Sequence, residues 1–267
     1  MGIRKALYNL KAYLSEQKKN LLGEIGSTTY IVREERSPDN VDGRIVCYVD
    51  PKCHVAEQYR IMRTNILALS PDNPPKSFVT TSALRGEGKT TTTCNIALSF
   101  ADNSDLKVVL VDADLRKPGV HKNFGLPREP GMADVLSGSA DLNELILKPR
   151  IANLHIVTAG KIIPNPSELL SSQRMKETVT RLKERFDYVF FDCAPIIPVT
   201  DAGVVGSQVD GAILIVRAAS TGALDVERAF SLLKDANVKP LGAVLTSVVT
   251  YIPYYLYRYR YVYVNKY

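Results

Sequence analysis

A glycine-rich loop set between an apolar strand and a helix constrains this chain more than any other feature. Residues 83–90 read Ala-Leu-Arg-Gly-Glu-Gly-Lys-Thr, after an apolar stretch at 78–81 and before a helical pattern at 90–100. The loop fits the phosphate-loop pattern G-x-x-x-x-G-K-[ST] everywhere except at its first glycine. Backbone amides, a lysine and a helix N-terminus converge in such a loop, so the sequence predicts a site for phosphate groups.

Elsewhere the chain continues the alternation of short apolar strands with helices. Nearly continuous apolar runs indicate strands covered on both faces, and strands separated by helices are typical of parallel sheets. We therefore predict an α/β fold with a P-loop NTPase-like, mostly parallel sheet and helices on both faces. The predicted strands are 78–81, 108–111, 154–157, 188–191, 212–216 and 241–245, and the predicted helices are 54–69, 90–100, 171–185 and 224–236.

Composition and periodicity divide the chain into three parts. We expect residues 1–45 to form a basic N-terminal helix and a linker, residues 46–250 the P-loop domain, and residues 251–267 a flexible tail. Within residues 1–20, five basic residues accompany apolar residues at helical spacing. This helix is expected either to lie on a membrane surface or to pack on protein, and the pattern leaves both alternatives open.

Composition also narrows the functional class. With 267 residues, 45% of them hydrophobic, the chain is long enough for one sizeable core. Its formal net charge of +6 suits phosphate ligands or an anionic membrane surface and does not indicate nucleic-acid binding. The four cysteines lack metal-ligand or redox spacing, and no apolar stretch reaches the roughly 20 residues that span a bilayer. We expect a reduced, cytoplasmic protein.

Seven consecutive residues of the loop and the following helix are candidates for nucleotide binding. The glycines let backbone amides close around phosphates, Lys89 adds positive charge, and the Thr90 hydroxyl is suited to ligate Mg²⁺. ATP with Mg²⁺ is the expected ligand. The candidates are Arg85, Gly86, Glu87, Gly88, Lys89, Thr90 and Thr91.

Aspartates follow two of the predicted strands. Asp112 and Asp114 come at the end of the strand at 108–111, and Asp192 follows the strand at 188–191. Open α/β sheets bind ligands at the carboxyl ends of their strands, and Mg²⁺ prefers hard oxygen ligands. The sequence therefore predicts a metal site formed by Thr90, Asp112 and Asp192. Helix capping is the alternative role for an aspartate in such a position.

Tyrosine is concentrated at the C-terminus. Eight of the 14 tyrosines lie in the last 17 residues, and Tyr188 alone lies between Tyr59 and Tyr251. The alternation over residues 257–263 also suits a final β-strand, but a flexible run of phosphate acceptors explains the clustering better. The candidate acceptors are Tyr251, Tyr254, Tyr255, Tyr257, Tyr259, Tyr261, Tyr263 and Tyr267.

Taken together, these motifs resemble those of the bacterial tyrosine kinases, P-loop enzymes that control capsule and exopolysaccharide production. The resemblance covers about residues 43–267 and rests on the phosphate loop, on the sequence Asp-Ala-Asp-Leu-Arg at 112–116 and on Asp192. It implies ATP-dependent phosphorylation of the tail in trans, within a ring-shaped oligomer. Its Asp-x-Asp-x-Arg motif also implies that Arg116 belongs to the nucleotide site. We further expect Lys89, Asp112 and Asp114 to act in catalysis, with Asp114 assisting deprotonation of the acceptor tyrosine, whose reference pKa is about 10.

The resemblance extends to contacts between subunits and to partners. Glu57, Arg60 and Arg63 look like the E-x-x-R-x-x-R helix that joins subunits in the family, and residues 165–170 look like its segment before the next helix. Ordinary ion pairs within the helix are the alternative for the three charged residues. A separate membrane activator and a tyrosine phosphatase are the implied partners, which places the chain at the inner face of the membrane.

Two other functions remain open from the residues. A partitioning or division-site ATPase switch would carry a signature lysine at the second loop position, where this chain has Leu84. A degenerate nucleotide-binding regulator, phosphorylated by another kinase, would lack ATP turnover. The chain also departs from the family pattern at Arg85, where proline is usual, and at Thr246, where an asparagine often contacts adenine.

Overall fold

Six parallel strands form one sheet at the centre of the protein. The computed structural model describes residues 36–70, 72, 74–102, 105–149, 151 and 153–248; the N-terminal basic segment and the tyrosine tail lie outside this part. The strands are β1 Ser77–Ser82, β2 Val108–Asp112, β3 Leu154–Val157, β4 Tyr188–Asp192, β5 Gly211–Arg217 and β6 Pro240–Thr246, and they lie in the order β3-β2-β4-β1-β5-β6. The predicted α/β fold with a parallel sheet is confirmed.

The described part of the chain contains ten helices, of which two precede β1 and eight connect the strands. The four long ones match the four predicted helices to within a few residues, because their periodic patterns are long enough to read. Six short helices were not predicted, since four to six residues carry too little periodicity. The helices are α1 Val46–Val49, α2 His54–Leu67, α3 Lys89–Ala101, α4 Val120–Asn123, α5 Met132–Ser137, α6 Leu142–Leu145, α7 Pro166–Leu170, α8 Gln173–Arg185, α9 Asp201–Gly206 and α10 Ala223–Asp235.

Successive side chains of each strand enter opposite faces of the sheet, so both faces are covered. Phe78 and Phe190 belong to one buried cluster with residues of α2 and α3. Val79 and Phe191 belong to a second buried cluster with residues of α8, α9 and α10. This alternation between two cores explains why the strands read as continuous apolar runs.

The first core includes residues that precede α1. Val41 and Ile45 are fully buried and pack with Phe78 and the helices of that face. The packed core thus includes residues on the N-terminal side of the expected boundary at residue 46. No helix in the described part is both long and apolar enough to cross a membrane.

Strand order places the phosphate loop beside the two aspartate strands. β4 lies between β1 and β2 and is hydrogen-bonded to both. In this register Asp112 is paired with Asp192, and both lie at the carboxyl edge of the sheet. The loop after β1 and the aspartates that end β2 and β4 therefore meet at one edge, as parallel topology requires.

Candidate functional site

The phosphate loop has the backbone conformation that its glycines permit. Gly86 and Gly88 have φ angles of +82° and +86°, in the left-handed region that other residues rarely adopt. Gly88 is the N-cap of α3, so the loop leads directly into a helix N-terminus. The free amides at that end and the helix dipole favour an anion such as a phosphate group.

Lys89 lies among carboxylates instead of pointing into solvent. Its Nζ atom is 2.9 Å from Asp192 Oδ1 and 3.3 Å from Asp114 Oδ2, and it also donates to Thr90 Oγ1 at 3.2 Å. The structure thus brings together Lys89, Thr90, Asp114 and Asp192, as the sequence predicts.

Asp112 is held by the backbone that follows β2. Its Oδ2 atom accepts hydrogen bonds of 3.0 Å from the amides of Gly119 and Val120, while Oδ1 is buried with no hydrogen-bond partner. Asp192 Oδ2 is likewise buried and unpaired. Two unpaired carboxylate oxygens on adjacent strands fit a cation, because buried oxygens require a hydrogen bond or a metal.

The carboxylates do not enclose a metal by themselves. Within the described ranges, no cluster of three or more His, Cys, Asp or Glu side chains is arranged to hold one. Mg²⁺ in nucleotide sites is held by one or two carboxylates, with waters and phosphate oxygens completing the octahedron. The geometry is therefore suited to a metal that is held jointly by the protein and a nucleotide.

Burial opposes ionisation of the two strand-end aspartates. Burial, together with the charge of Asp192, raises the pKa of Asp112 to about 8, and burial also raises the pKa of Asp192. For Lys89, burial acts to lower the pKa, but the charges of Asp192 and Asp114 outweigh it and the net shift is upward. Lys89 therefore stays cationic, and an additional cation would relieve the excess of negative charge.

Other predicted nucleotide-binding residues make contacts within the protein. The Arg116 guanidinium forms an ion pair of 2.7 Å with the buried Asp201 and donates to Ser167 Oγ at 2.7 Å. Arg85 is exposed at the tip of the loop, and Thr91 is half-buried in the first turn of α3. The structure places Arg116 in a network with α7 and α9, an arrangement that the sequence did not indicate.

Glu87 is buried, unlike the exposed residues Leu84, Arg85, Gly86 and Gly88 around it. Its carboxylate accepts from the Leu84 amide and from the Thr221 hydroxyl, and its carbonyl accepts from Thr246 Oγ1 at 2.7 Å. Sequence reasoning missed Thr221, and it noted Thr246 only as a departure from the family pattern, at a position where an asparagine often contacts adenine. No sequence pattern links these residues, since they lie more than 130 positions beyond Glu87.

The charged residues of the predicted interface helix are engaged within the chain. Arg60 Nε pairs with Glu57 Oε2 at 2.7 Å, and Arg60 Nη2 donates to the Pro51 carbonyl at 2.8 Å. Arg63 donates to the Ser99 carbonyl on α3. The intrahelical ion pair that the sequence offered as an alternative is thus present, and contact between subunits stays a prediction.

Comparison with known proteins identifies relatives across most of the chain. A family model described as an AAA domain matches residues 81–221. Tyrosine-protein kinase YwqD of Bacillus subtilis is 39% identical over 201 residues, which cover 75% of this chain and 84% of YwqD. Putative tyrosine-protein kinase CapB of Staphylococcus aureus is 34% identical over 198 residues, which cover 74% of this chain and 86% of CapB.

A solved structure matches the fold over an even larger share. The kinase domain of the Escherichia coli tyrosine kinase ETK aligns with a TM-score of 0.74 and 28% identity, and the alignment covers 90% of this chain and 98% of that domain. A nucleotide-binding P-loop fold is therefore established by geometry and by similarity together.

Proposed function

The chain belongs to the bacterial tyrosine-protein kinases, and from that membership we propose that it transfers the γ-phosphoryl group of ATP to tyrosines of its own C-terminal tail. It is a protein-tyrosine kinase, and the resemblance found in its sequence is confirmed. The observation that carries the proposal is the cluster of Lys89, Asp114 and Asp192 at the phosphate loop. An ATPase switch is not favoured, since relatives at 34–39% identity are named as tyrosine kinases.

ATP and Mg²⁺ are the proposed ligands of this site. Thr90, Asp112 and Asp192 would hold the metal, directly or through water, and the unpaired oxygens of the two aspartates support this assignment. When bound, Mg²⁺ neutralises charge that develops on the transferred phosphoryl group. The loop residues Arg85, Gly86, Glu87, Gly88 and Thr91 complete the proposed phosphate site on the protein side, and Arg116 is the further residue assigned to the nucleotide.

Lys89 and Asp114 have separate roles in the proposed reaction. Lys89 exchanges its contacts with Asp114 and Asp192 for the phosphates, where its charge stabilises the transition state. Asp114 then accepts the proton of the attacking tyrosine hydroxyl, whose reference pKa is about 10. Lys89 Nζ lies 3.3 Å from Asp114 Oδ2, so the lysine holds the carboxylate beside the phosphate loop. This position supports the two roles.

The proposed acceptors are the eight tail tyrosines, which lie outside the described residues. We place them on a neighbouring subunit of a ring, joined through Glu57, Arg60 and Arg63. The proposal has three further parts. The kinase regulates capsule or exopolysaccharide synthesis. It works with a separate membrane activator and an opposing tyrosine phosphatase, and it is located at the cytoplasmic face of the membrane. Their support is membership of a family that includes the kinases named CapB and CpsD.

Phosphate mapping tests the proposed activity. Purified protein incubated with ATP and Mg²⁺ should acquire phosphate on residues within 251–267, as measured by mass spectrometry. Lys89→Met should abolish the phosphate signal, because the phosphoryl group in transfer loses the positive charge of the lysine. Lys148→Met, which replaces an exposed lysine far from the loop, is the matched control and should retain full activity. A tail that stays unmodified even with an activator present would refute the proposal.

Transfer between subunits needs its own measurement. A tagged Lys89→Met chain mixed with untagged wild-type protein should gain tail phosphate, although it cannot phosphorylate itself. Phosphate found on the untagged chain alone would instead show transfer within one subunit.

A further inference from the structure

Glu87 is a buried carboxylate in the middle of an exposed loop. Its side chain belongs to a residue only 3% exposed, whereas Leu84, Arg85, Gly86 and Gly88 around it are all exposed. A phosphate loop needs amides that face the ligand, and a carboxylate would repel phosphate. Attraction to the ligand therefore does not explain Glu87.

Its two carboxylate oxygens are directed to different parts of the protein. Oε2 accepts a 2.7 Å hydrogen bond from the Leu84 amide, which closes the loop on itself. Oε1 accepts from the Thr221 hydroxyl and, at 3.5 Å, from the Arg217 amide. Arg217 ends β5 and Thr221 precedes α10, so the carboxylate connects the loop to the neighbouring strand and its following turn.

A second connection uses the backbone of the same residue. The Glu87 carbonyl accepts from Thr246 Oγ1 at 2.7 Å, and Thr246 is the last residue of β6. Glu87 thus joins the loop to the ends of β5 and β6. Because Gly86 and Gly88 on either side leave the backbone free to move, the loop depends on such contacts to keep one conformation.

We propose that Glu87 and Thr221 form a positioning pair, whose two side chains hold the phosphate loop in its binding conformation without themselves touching the nucleotide. The inference rests on the nucleotide site proposed above. It adds that two residues behind the phosphate loop, Glu87 and Thr221, keep that loop in place. Thr221 acts through Glu87, and Glu87 acts through the backbone amides of the loop. Preorganised amides bind phosphate more tightly, because the loop already loses its conformational entropy on folding and not on binding.

Binding of Mg·ADP, measured by calorimetry, tests the pair without requiring kinase activity. Thr221→Val keeps the shape of the side chain and removes the hydroxyl, and it should weaken binding about tenfold because a hydrogen bond to a charged group is lost. Glu87→Ala should weaken binding further, and Glu87→Gln should recover most of the affinity, since its amide oxygen still accepts from Leu84. Adding Thr221→Val to Glu87→Ala should have no further effect.

Thr180→Val is the matched control, because its hydroxyl bonds only the preceding turn of α8 on the exposed surface. Melting temperatures identify any variant that fails to fold. If Glu87→Ala does not fold, the binding of Mg·ADP by Thr221→Val and Glu87→Gln still tests the positioning pair. The pair is refuted if Thr221→Val binds Mg·ADP within twofold of wild type, or if the effects of the two substitutions multiply. If wild-type protein binds Mg·ADP but phosphorylates no tyrosine even with an activator present, the kinase proposal fails, and Mg·ADP binding by the variants still decides the positioning pair.

Discussion

At the scale of single residues, the site concentrates negative charge around one lysine. Asp112, Asp114 and Asp192 are buried together with Lys89, and two of their oxygens have no partner. Such an arrangement opposes folding of the empty protein, because buried like charges repel each other and burial disfavours ionisation. Binding sites commonly store unfavourable interactions of this kind, which a ligand then relieves.

Replacing Asp112 with asparagine should separate stability from function. Since the folded-state pKa of Asp112 is raised to about 8, the folded protein loses stability as pH rises from about 4, where the unfolded side chain ionises. Asp112→Asn removes this loss, so the Tm without ligand should rise by about 2–4 °C. The rise should be larger at pH 8 than at pH 5.

Differential scanning fluorimetry with and without Mg·ADP measures both consequences. The wild type should be stabilised by Mg·ADP, and Asp112→Asn should lose most of that stabilisation because it removes a carboxylate of the proposed metal site. Asp235→Asn, at the exposed end of α10, is the control that changes charge away from the site. A lower Tm for Asp112→Asn without ligand at pH 8 would contradict this account of the charge cluster.

At the scale of elements, the short helix α5 is fastened to the segment after β3 by backbone contacts. Met132 and Ala133 donate to the carbonyls of Thr158 and Ala159 at 2.7 and 2.8 Å. Gly131, which precedes the helix, donates to Asp134 Oδ2 at 2.9 Å. The close approach of the two segments leaves no room for a side chain at position 131.

Gly131→Ala should therefore destabilise the protein. A Cβ atom there would lie 2.3 Å from the Thr158 carbonyl oxygen and from the Gly160 nitrogen, and backbone atoms cannot move aside cheaply. We expect a loss of about 3 kcal/mol in the free energy of unfolding, measured in urea. Gly242→Ala is the matched control on β6, where an added Cβ meets no atom within 4 Å. Equal losses in both variants would show that the contact is not the cause.

At the scale of the whole molecule, the proposed ring requires a surface on which subunits can associate. Glu57 lies on α2 with its side chain half exposed, and its ion pair with Arg60 is at the surface. Exposed pairs of this kind contribute about 0–1 kcal/mol to folding. Glu57 is therefore available to act between subunits with little consequence for the fold of one subunit.

Glu57→Ala should leave the Tm nearly unchanged and weaken association. Light scattering after size exclusion would measure the loss of oligomer, and the mixing assay with tagged Lys89→Met would measure the expected loss of phosphate transfer between chains. Glu184→Ala, on the exposed surface of α8, is the matched control. An unchanged oligomer together with unchanged transfer would remove Glu57 from the proposed interface.

By itself, the sequence determined the six strands, the four long helices and the candidate residues of the site. The loop at 84–90, the apolar strands and the aspartates Asp112, Asp114 and Asp192 could all be predicted, because each depends on residues near one another in the chain. In a parallel sheet, glycines before a lysine and a threonine indicate a phosphate-binding loop. Carboxylates directly after apolar strands indicate a ligand site at the carboxyl edge of the sheet. Family membership followed from the same local motifs.

Only the tertiary structure decided which distant residues support that site. β4 lies between β1 and β2, and this order places Asp192 opposite Asp112. The ion pair of Arg116 with Asp201, and the contacts of Glu87 with Thr221 and Thr246, likewise join segments far apart in the chain. Such contacts arise from the packing of whole strands and helices, and a single sequence holds no local pattern for them. The phosphate loop could thus be recognised from the sequence, whereas what holds it in place could not.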